Sequence, residues 1–171
     1  MLFPVIIPRY YNADGRWVGP TKNLKHPELA ITWVVLRKDG SMSYLSHADA
    51  KNYIESGVDY EALAFVNLRQ QTEGQLYTHS KRSGDELIFA VAMHEDGLGS
   101  SRLLLVDDWY HVFPNGFNFA LPERSCAIVA PHVLPSNEQE ALAQTISNCY
   151  VNGTTPMLPG AYSPELFIIE G

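Results

Sequence analysis

Two glycine-centred turns constrain this chain more than any other feature. Asp39-Gly40 lies between Leu29 to Leu36, a run rich in β-branched and aromatic residues, and the short run Met42 to Leu45. Ser83-Gly84-Asp85 joins Gln75 to Ser80 and Glu86 to Met93. Glycine tolerates the backbone conformation of a tight hairpin, so each turn predicts two neighbouring antiparallel strands. Within the second hairpin, Leu87-Ile88-Phe89-Ala90-Val91 lacks polar alternation and reads as a central strand covered on both faces.

Helix signals fall between these strands. Ser46 and Asp49 have capping-box spacing, and Gly57 is placed to end the helix they open. Asp59 can cap a second helix reaching about Glu73. Its apolar residues Leu63, Phe65, Val66 and Leu68 are dense enough to predict that most of it is buried. Leu98, Arg102, Leu105, Trp109 and Val112 step by four and three and predict a third helix, although Leu103 to Val106 also suits a strand. Ser136 and Gln139 form another capping-box pair, opening a fourth helix that buries Leu142, Ile146, Cys149 and Tyr150.

The remaining segments read as short strands and breakers. Phe3 to Ile7 is a strand closed by Pro8, and residues 9–27 are a long surface loop holding Gly15, Gly19, Pro20 and Pro27. Phe117 to Leu121 and Cys126 to Ala130 are strands around Pro122, and Leu166 to Ile169 is a last strand. Hairpin-paired strands mixed with four helices give an α+β class: helices packed on a mainly antiparallel sheet as a single layer pair. The absence of βαβ alternation disfavours a doubly wound sheet. At 171 residues the chain reads as a single domain, 1–171.

Composition removes several functional classes. Lys+Arg number 12 against 19 Asp+Glu, a net charge of -7, so little is available for a basic nucleic-acid face. Lys22, Lys25 and His26 are too sparse to neutralise a phosphate backbone, and the same deficit disfavours an anionic membrane surface. The N-terminus reads as lacking a signal peptide, and no run is long enough to cross a bilayer. The expectation is a cytoplasmic protein in a reducing compartment, so the sequon Asn152-Gly153-Thr154 carries no glycosylation meaning. The chain has two cysteines. Cys126 in an apolar run and Cys149 on a helical pattern both read as buried thiols, with a disulfide between them left open.

Chemistry-bearing residues are scattered. Asp96-Gly97-Leu98-Gly99-Ser100-Ser101-Arg102 follows a strand and opens the third helix. Small residues there would expose backbone N–H groups to an anion, with Arg102 as a bidentate grip. The segment has no Walker lysine and no third dinucleotide glycine, and the competing reading is a turn followed by a Ser100 N-cap. His94, Glu95 and Asp96, with His79 on the neighbouring strand, could make a metal or acid–base group, but their spacing matches no zinc motif. Asn67 and Arg69 lie in the mostly apolar second helix, where a buried arginine needs an internal carboxylate such as Asp96, Asp107 or Glu123, or else holds a ligand. Glu123-Arg124-Ser125 reads as a solvated turn. Ser125 and Cys126 form no nucleophile motif, and the apolar run would raise the Cys126 pKa. Tyr10, Tyr11 and Trp17 in the first loop are either an interaction surface or a flap folded onto the core.

Motifs along the whole chain resemble the YtpQ-like bacterial proteins, a domain-of-unknown-function family. Phe3-Pro4-Val5-Ile6 resembles its aromatic-Pro-Val-Ile first strand. Ala64-Phe65 followed by Asn67-Leu68-Arg69 resembles its A-F-N-L-R helix. Asp96-Gly97 with Ser101-Arg102 and the apolar pair after it resembles its D-G-x-x-A-S-R-I-L segment. Ala120-Leu121-Pro122, with the apolar run to Val129, resembles its S-V-P-x-x-D segment, and Gly153-Thr154-Thr155-Pro156 its G-T-V-P loop. This chain lacks the family's extra N-terminal region, and Gly99 falls outside its pattern. The resemblance implies a cytoplasmic bacterial protein and transfers no activity, cofactor or catalytic residue. It marks Asn67, Arg69, Asp96, Ser101 and Arg102 as the tentative ligand-binding set.

Three functions follow as expectations. The first is a binding or regulatory module acting through a protein partner, with no nucleic acid, membrane or cofactor. The second is an anionic-ligand binder or enzyme using Arg69, Asp96, Ser101 and Arg102. The third is an immunity-like inhibitor whose acidic surface meets a basic toxin. Oligomeric state stays open.

Overall fold

The computed structural model describes residues 1–171. The class is α+β, with four α-helices and two antiparallel sheets where the sequence reading anticipates one. The chain forms two compact units. One is Met1–Glu73 with Ile168–Gly171, the other Gly74–Phe167.

In the first unit, β1 (Leu2–Pro8), β2 (Thr21–Asn23), β3 (Leu29–Leu36) and β4 (Met42–Tyr44) form one sheet. β3 is central. β1 pairs along one edge, from Leu2↔Val35 to Pro8↔Leu29. β2 and β4 share the other edge in succession, at Thr21↔Thr32 and Val34↔Tyr44. Proline lacks a ladder donor, so Pro4 is tolerated because β1 is an edge strand. The hairpin at Asp39-Gly40 is present, with Gly40 at φ 84°.

The segment read as a long loop is more ordered than expected. It holds a 3-10 turn at Arg9–Asn12 as well as β2. Trp17 Nε1 donates to Thr32 Oγ1 at 3.2 Å, and Trp17 N to Asn12 Oδ1 at 3.1 Å. A Cβ on Gly19 would lie 1.7 Å from the Leu45 carbonyl oxygen, so the segment crosses where only glycine fits. Propensity missed this because tertiary contacts hold the segment in place.

α1 (His47–Glu55) starts as anticipated: Ser46 Oγ accepts from Asp49 N at 3.0 Å. α2 (Tyr60–Thr72) is capped by Asp59 Oδ1, which accepts from Ala62 N at 3.0 Å. Burial of α2 is narrower than the sequence suggests. Tyr60, Ala64, Leu68 and Thr72 form a buried stripe against the sheet, with Tyr60 edge-on to Trp33 at 5.3 Å, while Val66 is 48% exposed. The dense apolar run spreads around the helix, and one face meets the sheet.

In the second unit the sheet order is β5-β6-β8-β7-β9. The strands are β5 (His79–Ser83), β6 (Glu86–Ala92), β7 (Phe117–Glu123), β8 (Cys126–Pro131) and β9 (Ala161–Tyr162). Alternation along β7 separates two faces. Phe117, Phe119 and Leu121 share one. Phe119 packs edge-on against Trp109 at 6.1 Å and Phe167 at 5.2 Å. Asn118 and Ala120 share the other, where Ala120, Cys126 and Ile128 cluster with Ile146 of α4 (Ser136–Asn152). Elements therefore cover both faces of this sheet.

Three expectations change here. The third helix divides into a 3-10 turn, Ser100–Leu104, and α3 (Val106–Val112), with Leu105 non-helical at φ -86°, ψ 55°. The last strand is instead a 3-10 turn, Pro164–Phe167, with an isolated bridge at Leu24↔Ile169, while β9 was not anticipated. The Ser136–Gln139 capping box does not form. Ser136 is already helical, the cap position is Pro135, and Gln139 Nε2 donates back to Leu134 O at 2.8 Å. Of the α4 residues expected inside, Ile146 is buried and Leu142, Cys149 and Tyr150 are half-buried.

Candidate functional site

After β6 the chain turns at His94–Gly97, with Gly97 N donating to His94 O at 3.1 Å. Asp96 closes the turn, its Oδ1 accepting from Leu98 N at 2.8 Å. Gly99 lets the backbone fold flat on the strand end: a Cβ there would sit 2.5 Å from the Ala92 carbonyl oxygen. The following 3-10 turn then carries Arg102 back to Asp96. Arg102 Nη2 donates to Oδ2 at 2.8 Å and Nη1 to Oδ1 at 3.2 Å, a bidentate pair with the arginine side chain 2% exposed. Trp109 Nε1 donates to Arg102 O at 2.9 Å and ties α3 to this knot.

The anion cradle expected at Gly97–Arg102 is not what this geometry builds. No α-helix starts there, Gly99 occupies the cap of the 3-10 turn, and Ser100 makes no N-cap bond. Ser100 and Ser101 are buried at 5% and 1% exposure, and Ser101 Oγ has no hydrogen-bond partner. The Asp96 carboxylate takes the place an anion would occupy on Arg102.

Asn67 and Arg69 belong to α2 in the first unit. Asn67 Nδ2 donates to Leu2 O at 2.9 Å and so anchors the helix to β1. Arg69 is exposed rather than buried, because it stands about 100° around the helix from Leu68 on the buried stripe. His94 Nε2 donates to Gln75 O at 2.7 Å, which leaves Nδ1 unprotonated in the neutral ring. Burial holds the His94 pKa below its usual value, opposed by the Gln75 bond and aided by Arg102. His79 and Glu95 are exposed. No group of three or more His, Cys, Asp or Glu side chains is placed to hold a metal ion. Glu123-Arg124-Ser125 is the β7–β8 turn, with Ser125 N donating to Glu123 Oε2 at 2.8 Å.

The first-loop aromatics divide between the two expected roles. Rings run in a row, Tyr10–Tyr11 at 5.2 Å, Tyr11–Trp17 at 5.5 Å and Trp17–Tyr44 at 4.8 Å. Tyr11 and Trp17 are half-buried, whereas Tyr10 is 71% exposed.

A concave site that sequence reasoning missed lies between α4 and the Asn118/Ala120 face of the second sheet. Its volume is about 330 Å³. Ala120, Ile128, Ala130, Leu142 and Ile146 give it apolar walls, and Asn118 and His132 bring polar groups. The hollow exists because alanines stand on the face opposite the phenylalanines and cannot fill the gap beneath the helix. The alternation Phe117-Asn118-Phe119-Ala120 marks a small-residue face in the sequence but not what packs over it.

Comparison with family models, with curated proteins and with solved structures returns no match. No helix is long and apolar enough to cross a membrane.

Proposed function

We propose that this chain is a binding module that takes a small, largely apolar molecule between α4 and the second sheet. The observation that carries this reading is the alanine-lined hollow of about 330 Å³ with polar groups at Asn118 and His132. Binding sites combine apolar walls with a few polar groups in this way, and the volume lies at the small end of their range. The Asp96–Arg102 pair supports a structural role for those residues more than an anion-holding one, since the guanidinium already has a bidentate carboxylate.

A thermal-shift panel of small aromatic and branched aliphatic molecules tests the proposal. A ligand at a hundred times its Kd is expected to add about 2.7 kcal/mol of stability. Ala143 lines the hollow from an exposed position on α4, so Ala143→Phe should abolish that shift without unfolding the chain. A panel without any shift, or one that Ala143→Phe leaves unchanged, removes the reading.

A second reading is favoured by Tyr10, 71% exposed at the end of a preset aromatic row. It is a regulatory contact with a protein partner, and the net charge of -7 favours a basic one, as an immunity-like inhibitor would meet. Rigid exposed aromatics make binding anchors, so Tyr10→Ala should weaken such a complex roughly tenfold or more by calorimetry. An unchanged affinity would exclude the aromatic row as the contact. The ordered motifs support placing the chain with the YtpQ-like bacterial group in the cytoplasm. That placement supplies no activity.

A further inference from the structure

Cys126 opens β8, and Cys149 lies in the last turns of α4. The end of α4 rests on the β7–β8 hairpin. Arg124 N donates to Thr155 O at 3.0 Å, and a Cβ on Gly153 would lie 2.5 Å from Glu123 Cγ and 2.7 Å from Cys149 O. Glu123 is the cross-strand partner of Cys126. Cys126 also clusters with Ile146, which precedes Cys149 by about one helical turn. Residues three apart share a helix face, so Cys149 lies on the side of α4 that Ile146 packs against Cys126. Both are free thiols. Cys126 is 8% exposed, and Cys149 is half-buried.

We propose that Cys126 and Cys149 form a redox-modification site, at which a low-molecular-weight disulfide oxidises the two thiols to one intramolecular disulfide that staples α4 to β8. The reaction has two exchanges. The Cys149 thiolate attacks one sulfur of the small disulfide, forming a mixed disulfide and expelling one small thiolate, which takes up the Cys149 proton. Cys126 then loses its proton and attacks the Cys149 sulfur, expelling the second small thiol. The two protein thiols are oxidised by two electrons, and the small disulfide is reduced to two thiols.

Burial and the neighbouring Cys149 push the Cys126 thiol up to about 11, so its thiolate is scarce near neutrality. This orders the steps. The more accessible Cys149 reacts first, and closure by Cys126 is slow and accelerates with pH, about tenfold per unit below about 11.

The full chain is incubated with oxidised glutathione, quenched in acid, and read by intact mass and by alkylation after unfolding. Wild type is expected to lose two hydrogens, protect both cysteines from alkylation, carry no glutathione and no covalent link between chains, and gain roughly 5–10 °C in Tm. Cys126→Ala should stop at a glutathione adduct on Cys149. Cys149→Ser should leave Cys126 unmodified over the same time. The proposal is overturned if wild type retains two alkylatable thiols, accumulates a stable glutathione adduct, or links only between chains. A disulfide that forms without raising Tm overturns the staple, and equally fast modification of Cys126 in Cys149→Ser overturns the order of attack. The wild-type measurement stands even where a variant folds poorly.

Discussion

Asp96→Ala is expected to destabilise the chain by about 3–5 kcal/mol in urea denaturation. The physical reason is what it leaves behind. Arg102 stays almost fully enclosed, with its side chain 2% exposed, and loses both oxygens of its bidentate partner. A guanidinium cannot neutralise itself by giving up its proton, so the cost of keeping it from water has no easy escape. Leu98 N loses its acceptor as well. Asp96→Asn separates these effects. It keeps one oxygen, able to serve Leu98 N and Arg102 Nη1, but sets an NH2 donor against Nη2 and removes the charge, so it should recover only part of the loss seen in Asp96→Ala. A loss below about 1 kcal/mol for Asp96→Ala would mean that the pair behaves like a surface ion pair and does not hold the turn.

Trp109→Ala should cost about 3–5 kcal/mol by the same measurement. The ring is fully buried, stacks on Tyr77 at 6.4 Å and meets Phe119 edge-on at 6.1 Å. Its loss opens a large cavity under the aromatic face of the second sheet. Its indole N–H also satisfies the Arg102 carbonyl, so Trp109→Phe, which fills most of the volume, should still cost about 1–2 kcal/mol. Trp109 and Asp96 act on the same arginine from its two ends. The double variant is therefore expected to be non-additive, with a coupling energy of about 0.5–3 kcal/mol. Strict additivity would show that the backbone and side-chain bonds of Arg102 are independent supports.

These expectations recast the segment that the sequence singles out most strongly. Glycine and serine before an arginine suggest an anion cradle when read in line. Folded, the same residues serve close approach. Gly99 lies flat on Ala92, Ser101 is enclosed, and Arg102 reaches back across six residues to Asp96. Linear spacing cannot distinguish an arginine that meets a ligand from one that meets a carboxylate six positions earlier. Both need the same donors in the same place. Asn67 and Arg69 illustrate the related difficulty of helix phase. They stand two positions apart, and one anchors β1 while the other is exposed.

The sequence by itself determined the hairpin turns, the caps at Ser46 and Asp59, the α+β class and the burial of Cys126. Each rests on local rules: the backbone freedom of glycine, a side chain satisfying a helix N–H, or an unbroken apolar run. Only the tertiary structure decided how the strands divide between two sheets, that the first loop would be held by Trp17 and Gly19, and that Leu105 would break the third helix. It also decided that alanines on one face of β7 and β8 would leave a hollow under α4, and that the α4 face carrying Ile146 and Cys149 would pack on Cys126. Those outcomes depend on which surfaces meet across many residues of chain. The energy of such meetings comes from the area and shape that two elements present to each other, and neither is written in any local window.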